Sequence, residues 1–419
     1  MKNRLIVAVL FLSLMGMFSC REELGGVSTR SDYFVKFIGD TFDQEGEQVI
    51  ESTDGSLFII GTTTPVEQRQ EIYLVKTQAN GDVLWTKTFG VPDTLSARNL
   101  LGASLQFTSD GGLILLGSSV EKDGLDSELL LIKTTIEGDE QWRKVIVKKE
   151  GDGGNVLNYG TYVHVLEDGT GYLLLGYSSD GIEDRDILWV KTSIDGSIDY
   201  NQSTWYNFKD GIGFNEARKV IEWDGSYVIV GSSTEIPNSD IDQSGVNAIV
   251  FLAYPNGSVD AFRTFGGTLG DDYGYDIKQL PNGNFVLLGS TVSQANSGGR
   301  DAFIVEMEGT PISDPIEGVY HTFGENNQNW SYSMVVNSDN SITACGKSQR
   351  SYGIEDMFIF KTTPDFSQQW FHQFGTENEE TALSIIETLD GGYVTAGTAG
   401  IDKNKMISLI KTTSNGELK

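Results

Sequence analysis

The chain has 419 residues, 59 of them acidic and 30 basic, for a formal net charge of −29. A surface this acidic is repelled by nucleic acid and by anionic membrane faces, so neither is an expected partner. Glycine is abundant at 49 and proline scarce at 8, which suits many strands joined by tight turns better than disorder.

Residues 1–19 read as an export signal. Lys2 and Arg4 make a basic start, and Leu5 to Met17 form an apolar run short of a comfortable bilayer span. Ser19-Cys20 follows, and a small residue before a Cys at this point resembles the bacterial lipoprotein cleavage box. On that reading Cys20 is acylated, opens the mature chain and makes the lipid bilayer a partner. An ordinary secretory signal with an unrelated Cys is the alternative. Cleavage removes Lys2 and Arg4 and no acid, taking the charge from −29 to −31. Residues 20–31 read as a tether, and Arg21-Glu22-Glu23 resembles the short signal that sends lipoproteins of Bacteroidota-type bacteria to the cell surface. A plain charged tether is the other reading.

The rest, residues 32–419, repeats one unit seven times. A Gly closing an apolar strand recurs at Gly61, Gly117, Gly176, Gly231, Gly289, Gly346 and Gly397, spaced 51 to 59 residues apart. The first copy shows the unit. Gln48 to Glu51 is a strand and Asp54-Gly55 a turn. Leu57 to Gly61, Ile72 to Thr77 and Val83 to Gly90 are three more strands, the last two joined at Asn80-Gly81. Four short antiparallel strands per unit read as a propeller blade. The expected fold is all-β, a seven-bladed β-propeller. Its blades fall at about 41–90, 91–148, 149–209, 210–266, 267–324, 325–375 and 376–419 plus 32–40.

Register explains the split seventh blade. Nine residues separate Lys76 from Trp85, Lys133 from Trp142, Lys191 from Tyr200 and Lys361 from Trp370. From Lys411 the same offset falls one position past Lys419. The missing strand is Tyr33 to Asp40, with Phe34 in the place of Trp85 and Gly39 in that of Gly90. Closing a ring this way is what WD-repeat propellers do, although their His and Trp-Asp signatures are missing here. The whole pattern, including the Asp-Gly-Gly-Tyr at 390–393 and the Lys-Thr-Thr at 411–413, resembles the repeat-propeller lipoproteins of Bacteroidota. That resemblance implies fold and location, and carries no catalytic residues over.

Chemistry is sparse. Of the three histidines, His321 and His372 occupy equivalent outer-strand positions on adjacent blades, and His164 sits on an inner strand. No metal centre or cofactor is expected from them. Cys345, in the apolar run Ser341 to Cys345, reads as a buried inert thiol with no disulfide partner once Cys20 is acylated. Asp240 to Gly245 resembles the opening of a calcium loop but lacks its later carboxylates, Ala248 and Phe251 standing there instead.

The best constellation surrounds the small residue of each inner strand: Gly46, Gly102, Gly160, Ala217, Gly274, Ser331 and Ala382. Small residues let the innermost strands converge. Their flanks differ between copies and are expected to rim one mouth of the channel: Glu45 and Glu47, Tyr159 and Thr161, Glu216 and Arg218, Tyr273 and Tyr275, Trp330 and Tyr332 among them. Tyr273, Tyr275, Trp330 and Tyr332, with Asp271, Asp272, Asn327 and Asn329 nearby, form the candidate ligand site, a place to stack and hydrogen-bond a sugar or peptide. Tyr159, Glu45 and Glu47 join it. The same rings packed between blades is the competing reading. Three functions follow as expectations: a non-enzymatic outer-membrane lipoprotein whose rigid propeller binds a glycan or serves as an accessory module, a scaffold subunit on an outer-membrane protein partner, or a carbohydrate-active hydrolase or lyase.

Overall fold

The computed structural model describes residues 33–418 apart from 66–68, 92–97, 147–156, 180–184, 207–212, 236–244, 268–269, 296–298, 314, 325–327 and 350–352. Cys20, the tether, Asn327 and the oxygen-rich segment 240–244 lie outside the described residues. Among those described, every regular element is a strand.

After β1 (Phe34–Ile38) come antiparallel four-stranded meanders. The first sheet is β2 (Asp43–Glu51), β3 (Leu57–Thr64), β4 (Glu71–Thr77) and β5 (Val83–Phe89). The second is β6 (Arg98–Phe107), β7 (Leu113–Glu121), β8 (Ser127–Thr134) and β9 (Glu140–Ile146). The third is β10 (Leu157–Val165), β11 (Gly171–Ser179), β12 (Arg185–Ser193) and β13 (Thr204–Tyr206), bridged to the second where Leu157 lies opposite Ser127. The fourth is β14 (Asn215–Trp223), β15 (Ser226–Ser233), β16 (Asn247–Ala253) and β17 (Val259–Phe265). The fifth is β18 (Tyr273–Gln279), β19 (Phe285–Thr291), β20 (Asp301–Met307) and β21 (Pro315–Phe323). The sixth is β22 (Gln328–Val336), β23 (Ile342–Gln349), β24 (Glu355–Thr362) and β25 (Gln368–Phe374). The last is β26 (Glu380–Glu387), β27 (Tyr393–Ile401) and β28 (Asn404–Thr412), with β1 as its fourth strand.

Strand alternation accounts for the unbroken apolar runs. In β7, Leu113 and Leu115 pack with Phe58, Ile60 and Leu74 of the first sheet, while Ile114 and Leu116 pack with Val163, Leu174 and Leu188 of the third. All four are fully buried. A sheet covered on both faces needs no polar side. Every consecutive pair of sheets encloses such a core, and Phe34, Ile38 and Leu409 of the last sheet share one with Val49, Ile59 and Val75 of the first.

Each inner strand carries the same defect. The small residue pairs with the glycine of the next strand, Gly46 with Gly61 and Ala382 with Gly397 for example, and the register then slips by one. The slip recurs at Gly102/Ser104, Gly160/Tyr162, Ala217/Lys219, Gly274/Asp276 and Ser331/Ser333. A bulge leaves one residue unpaired and backbone groups to satisfy. The neighbouring sheet supplies the partners. Hydroxyls accept from the small residues: Gly102 N donates to Thr62 Oγ1 at 3.1 Å, Gly160 N to Ser118 Oγ at 3.0 Å, and Gly274 N to Ser232 Oγ at 3.2 Å. Beyond the bulge, Leu105 N donates to Gln48 Oε1 at 2.9 Å and Met334 N to Asp276 Oδ2 at 3.0 Å. Both devices join the last sheet to the first, Gly46 N to Thr398 Oγ1 at 3.2 Å and Val49 N to Ser384 Oγ at 3.3 Å. Smallness is steric here: a Cβ on Gly102 would lie 2.4 Å from the Gly61 carbonyl oxygen.

The expected outer-strand register holds at Lys76 opposite Trp85, Lys133 opposite Trp142, Lys361 opposite Trp370 and Lys411 opposite Phe34. It fails in the third sheet. Tyr200 lies in a turn and is exposed, and the fourth strand there is Thr204–Tyr206, pairing with Ile187 to Trp189. The reason is local. Trp189 itself fills the core that the outer-strand aromatic fills elsewhere, its Nε1 donating to Gln202 O at 3.0 Å.

Candidate functional site

The bulges decide what faces the centre. One residue per inner strand, the one the ladder leaves unpaired, lines a single cavity of about 700 Å³: Glu47, Ala103, Thr161, Arg218, Tyr275, Tyr332 and Leu383. These come from every sheet in turn. Their identities vary while the frame that ejects them repeats, so the cavity's chemistry is set position by position.

The walls are unequal. On the third sheet Tyr159 and Tyr177 stack with centroids 5.2 Å apart, and the Arg185 guanidinium lies 4.5 Å from the Tyr177 ring centroid. From the fourth sheet Arg218 lies 5.6 Å from the Tyr275 centroid, and Tyr275 meets Tyr332 edge to face at 5.0 Å. Glu216, almost fully buried, faces both guanidiniums: Arg218 Nη2 at 2.5 Å and Arg185 Nη1 at 3.5 Å. Behind them Lys219 Nζ sits 2.9 Å from Asp276 Oδ2, and the Lys219 ammonium lies over the Tyr162 ring. Burial pushes the Tyr275 hydroxyl up to about 12 and raises that of Tyr332 well above its ordinary value. Both stay neutral hydrogen-bonding groups. On the first sheet burial, reinforced by Glu45, pushes the Glu47 carboxyl up to about 8, with Arg218 opposing.

The aromatic cluster read from the sequence is split by this geometry. Tyr275 and Tyr332 line the cavity, as do Tyr159, Glu45 and Glu47. Tyr273 and Trp330 do not; they form a pad with the Arg300 guanidinium, 5.1 Å and 5.9 Å from their centroids, and Lys347 lies 5.0 Å from that of Trp330. Position before the bulge does not decide this, since Glu45 and Tyr159 hold the same place and do line the cavity; Tyr273 and Trp330 are drawn aside by Arg300. Asp272 does not line the cavity either. Fully buried, it accepts from Thr291 Oγ1 at 2.6 Å, Val292 N at 3.0 Å and Gly267 N at 3.0 Å, clasping two loops. Asp271 accepts from Val246 N at 3.0 Å, and Asn329 is fully buried. Glu45 is engaged by Lys405 of the last sheet.

Tyr177 and Arg185 were not legible as site residues from the inner-strand alignment. The signal was present elsewhere. The residue after the strand-closing glycine is Thr62, Ser118, Ser232, Ser290 and Thr398 in five copies, and Tyr177 and Lys347 in the other two. Tyr177 stands where the repeat keeps a hydroxyl to tie the next sheet.

The remaining polar candidates are structural. His164 Nε2 lies 3.0 Å from Glu222 Oε1. His372 stacks on Trp370, and His321 faces Phe366, on the outer strands of adjacent sheets. Cys345 is fully buried, its Sγ donating to Ala382 O at 3.6 Å, and burial drives its thiol pKa well up. Among the described residues no group of three or more His, Cys, Asp and Glu is placed to hold a metal ion.

No family model matches the chain, and no curated relative does. Solved structures are similar at low identity. A protein of unknown function from Dyadobacter fermentans is 13% identical with a TM-score of 0.49, over 91% of this chain and 98% of that one. The polysaccharide lyase Uly1 is 12% identical at 0.49, over 88% of this chain and 90% of its own. A mutant sialidase of Trypanosoma rangeli is 12% identical at 0.48, over 91% of this chain but 55% of its own. Likeness at this level assigns neither activity nor ligand.

Proposed function

We propose that the mature chain is a closed seven-bladed propeller, lipid-anchored through Cys20 to the outer face of the outer membrane, that captures a glycan in its central cavity. Closure is supported by β1 on β28, by the shared core of the last and first sheets, and by the two hydrogen bonds that repeat across that junction. The anchor is supported by the basic start, the apolar run and Ser19-Cys20. A Cys20→Ala variant found undiminished in the membrane fraction, or unlabelled wild type after feeding a clickable fatty acid, would remove it.

One observation carries the binding reading. Two tyrosine pairs, Tyr159–Tyr177 and Tyr275–Tyr332, flank Arg218 in one polar cavity. Rings supply stacking faces for sugar C–H surfaces, and neutral phenols with fixed guanidiniums supply hydrogen bonds. The test is affinity gel electrophoresis of residues 21–419 against a polysaccharide panel, with Tyr275→Ala and Tyr332→Ala alongside. Retardation by at least one polysaccharide, weakened about tenfold or more in both variants, is expected. Retardation unchanged in both would place the site elsewhere. Product analysis on the same samples separates capture from cleavage.

A scaffold role on a membrane protein partner is the second reading. It is favoured by Val35 and Phe37, which alternate as exposed apolar side chains on β1, and by the exposed Tyr33 directly before it. A crosslinking pull-down from membranes with no stoichiometric partner would count against it.

A further inference from the structure

Building on the glycan reading, we infer that the captured saccharide is acidic and that its carboxylate docks between Arg185 and Arg218. Charge comes first. Among the described residues Glu216 is the one carboxylate shared by these two guanidiniums, at 3.5 Å and 2.5 Å, which leaves the trio one positive charge in excess. Lys219 adds nothing to that excess, because Asp276 neutralises it at 2.9 Å. An unbalanced cationic pair inside a chain of net charge −29 runs against the composition of the whole molecule.

Geometry comes second. Each guanidinium has five N–H donors, and Glu216 uses few of them. The side chains remain 36% and 40% exposed, and both line the cavity. Their flat faces are held by rings: Arg185 lies 4.5 Å from Tyr177 and 4.8 Å from Phe214, Arg218 5.6 Å from Tyr275. Faces held in this way leave the N–H edges to meet a carboxylate, the planar partner that guanidinium forks match.

Position comes third. A packing role would repeat around the sheets, and this one does not. At the junction of third and fourth sheets Tyr177 stands where five of the seven copies keep a hydroxyl that can tie the small residue's N–H, Lys347 being the other exception. Tyr162 stands where Gln48, Ser104, Asp276, Ser333 and Ser384 accept from the next inner strand, Lys219 being the other exception. Arg218 is the residue the bulge ejects. The regular ties are given up where the cations gather. Across the cavity Glu47 is held protonated near neutral pH, so that wall offers an anion a hydrogen-bond donor in place of a repelling charge.

The test uses residues 21–419 in 150 mM salt, with polygalacturonate and hyaluronan as carboxylate probes. Carboxyl-reduced polygalacturonate, carrageenan as a sulfate probe, and dextran and laminarin as neutral probes complete the panel. A protein this acidic has no general attraction for polyanions, so retention reports the site. The expected result is retention by a uronate polymer, no retention by its reduced form, and at least about tenfold weaker retention in Arg218→Gln and Arg185→Gln. Each variant's melting curve is recorded. If Arg218→Gln unfolds, Arg185→Gln and the charge-keeping Arg218→Lys, expected to bind between wild type and Gln, decide the matter. Retention by dextran or laminarin that survives Arg218→Gln overturns the acidic ligand while leaving glycan capture standing. Retention by carrageenan alone overturns the carboxylate. Retention by none of the probes overturns both.

Discussion

Phe34 lies opposite Lys411 in the same antiparallel register that sets Trp85 opposite Lys76. The aromatic does more than pair. Gly81, in the first sheet's outer turn at φ +80°, sits so near the Phe34 ring that a Cβ there would come within 2.7 Å of it. Trp85 covers Gly138, Trp142 covers Gly196 and Trp370 covers Gly416 in the same way. Phe34 thus joins the first sheet to the last as Trp85, Trp142 and Trp370 each join their own sheet to the next. Phe34→Ala is expected to lose about 3–5 kcal/mol, the cost of a buried Phe truncation. Deleting residues 33–40 is expected to abolish cooperative unfolding. Urea transitions check both, and an unchanged midpoint in either sinks the account of closure.

Gly61, Gly176 and Gly397 face the small inner-strand residues with no room for a methyl. A Cβ on each would lie 1.9, 2.0 and 1.8 Å from a carbonyl oxygen of the paired strand. Backbone cannot yield as a flexible side chain can. Gly397→Ala is expected to destabilise by at least about 2–3 kcal/mol, as overpacking of a tight site does. Gly111, at φ +81° with open space around it, provides the contrast. Gly111→Ala carries only the left-handed backbone penalty of about 1–2 kcal/mol. Equal losses in the two variants would contradict a steric origin for the conserved spacing within the chain.

What the sequence made legible was whatever repeats. Strand order, the Phe34 register and the ring of small residues follow from aligning one copy on another, because periodic packing imposes periodic side chains. The site was legible only in part. Glu45 and Glu47, or Tyr273 and Tyr275, look equivalent as flanks of a glycine. The bulge turns Glu47 and Tyr275 inward, while Glu45 also reaches the cavity and Tyr273 turns to Arg300, and neither outcome is fixed before the paired strand and the neighbouring sheet are defined. Asp272 reads in the sequence as part of the candidate ligand site beside Asp271, yet it clasps Thr291 and Gly267, partners that chain order does not announce. Tyr200 was misplaced because Trp189 had already filled the core that the offset assigns to the outer strand.

Asp276 is fully buried and holds two lysines in balance. Its Oδ2 accepts from Lys219 Nζ at 2.9 Å and from Met334 N at 3.0 Å, and its Oδ1 from Ile277 N at 2.9 Å. Asp276 also raises the Lys278 pKa, but Lys219 and burial outweigh it, and the net shift is downward. Asp276→Ala leaves the partly buried Lys219 without its counterion and Met334 N and Ile277 N without their acceptor, and is expected to cost about 3–5 kcal/mol. The paired replacement Lys219→Met with Asp276→Leu is expected to recover the part due to the unpaired charge but not the part due to Met334 N and Ile277 N, which lose their acceptor in both variants. Chemical denaturation of the two variants and wild type decides. If the paired replacement is no better than Asp276→Ala, the loss comes from packing and the charge argument fails.

Glu47 gives the channel a pH response with a definite sign. Its carboxyl is raised by burial first and by Glu45 second, against Arg218, from 4.5 to about 8. Below pH 4.5 folded and unfolded chains both hold the proton, and the full contribution to stability is present. Between pH 4.5 and 8 the unfolded chain has lost it while the folded chain keeps it, so stability falls as pH rises. Above pH 8 both are ionised and the penalty is constant. Glu47→Gln keeps the neutral form's shape and is therefore expected to match wild type at pH 4 and to exceed it at pH 9. After screening by channel water the gain is about 1–2 kcal/mol. Melting curves of the two proteins at both pH values test this, and a gain as large at pH 4 as at pH 9 would show that ionisation is not its cause. The same step bears on binding. Once Glu47 ionises it places a negative charge across from Arg218, so retention of a uronate polymer by wild type is expected to weaken as pH passes 8. Retention by Glu47→Gln is expected to hold constant over that range. Parallel loss in both proteins would detach Glu47 from the ligand.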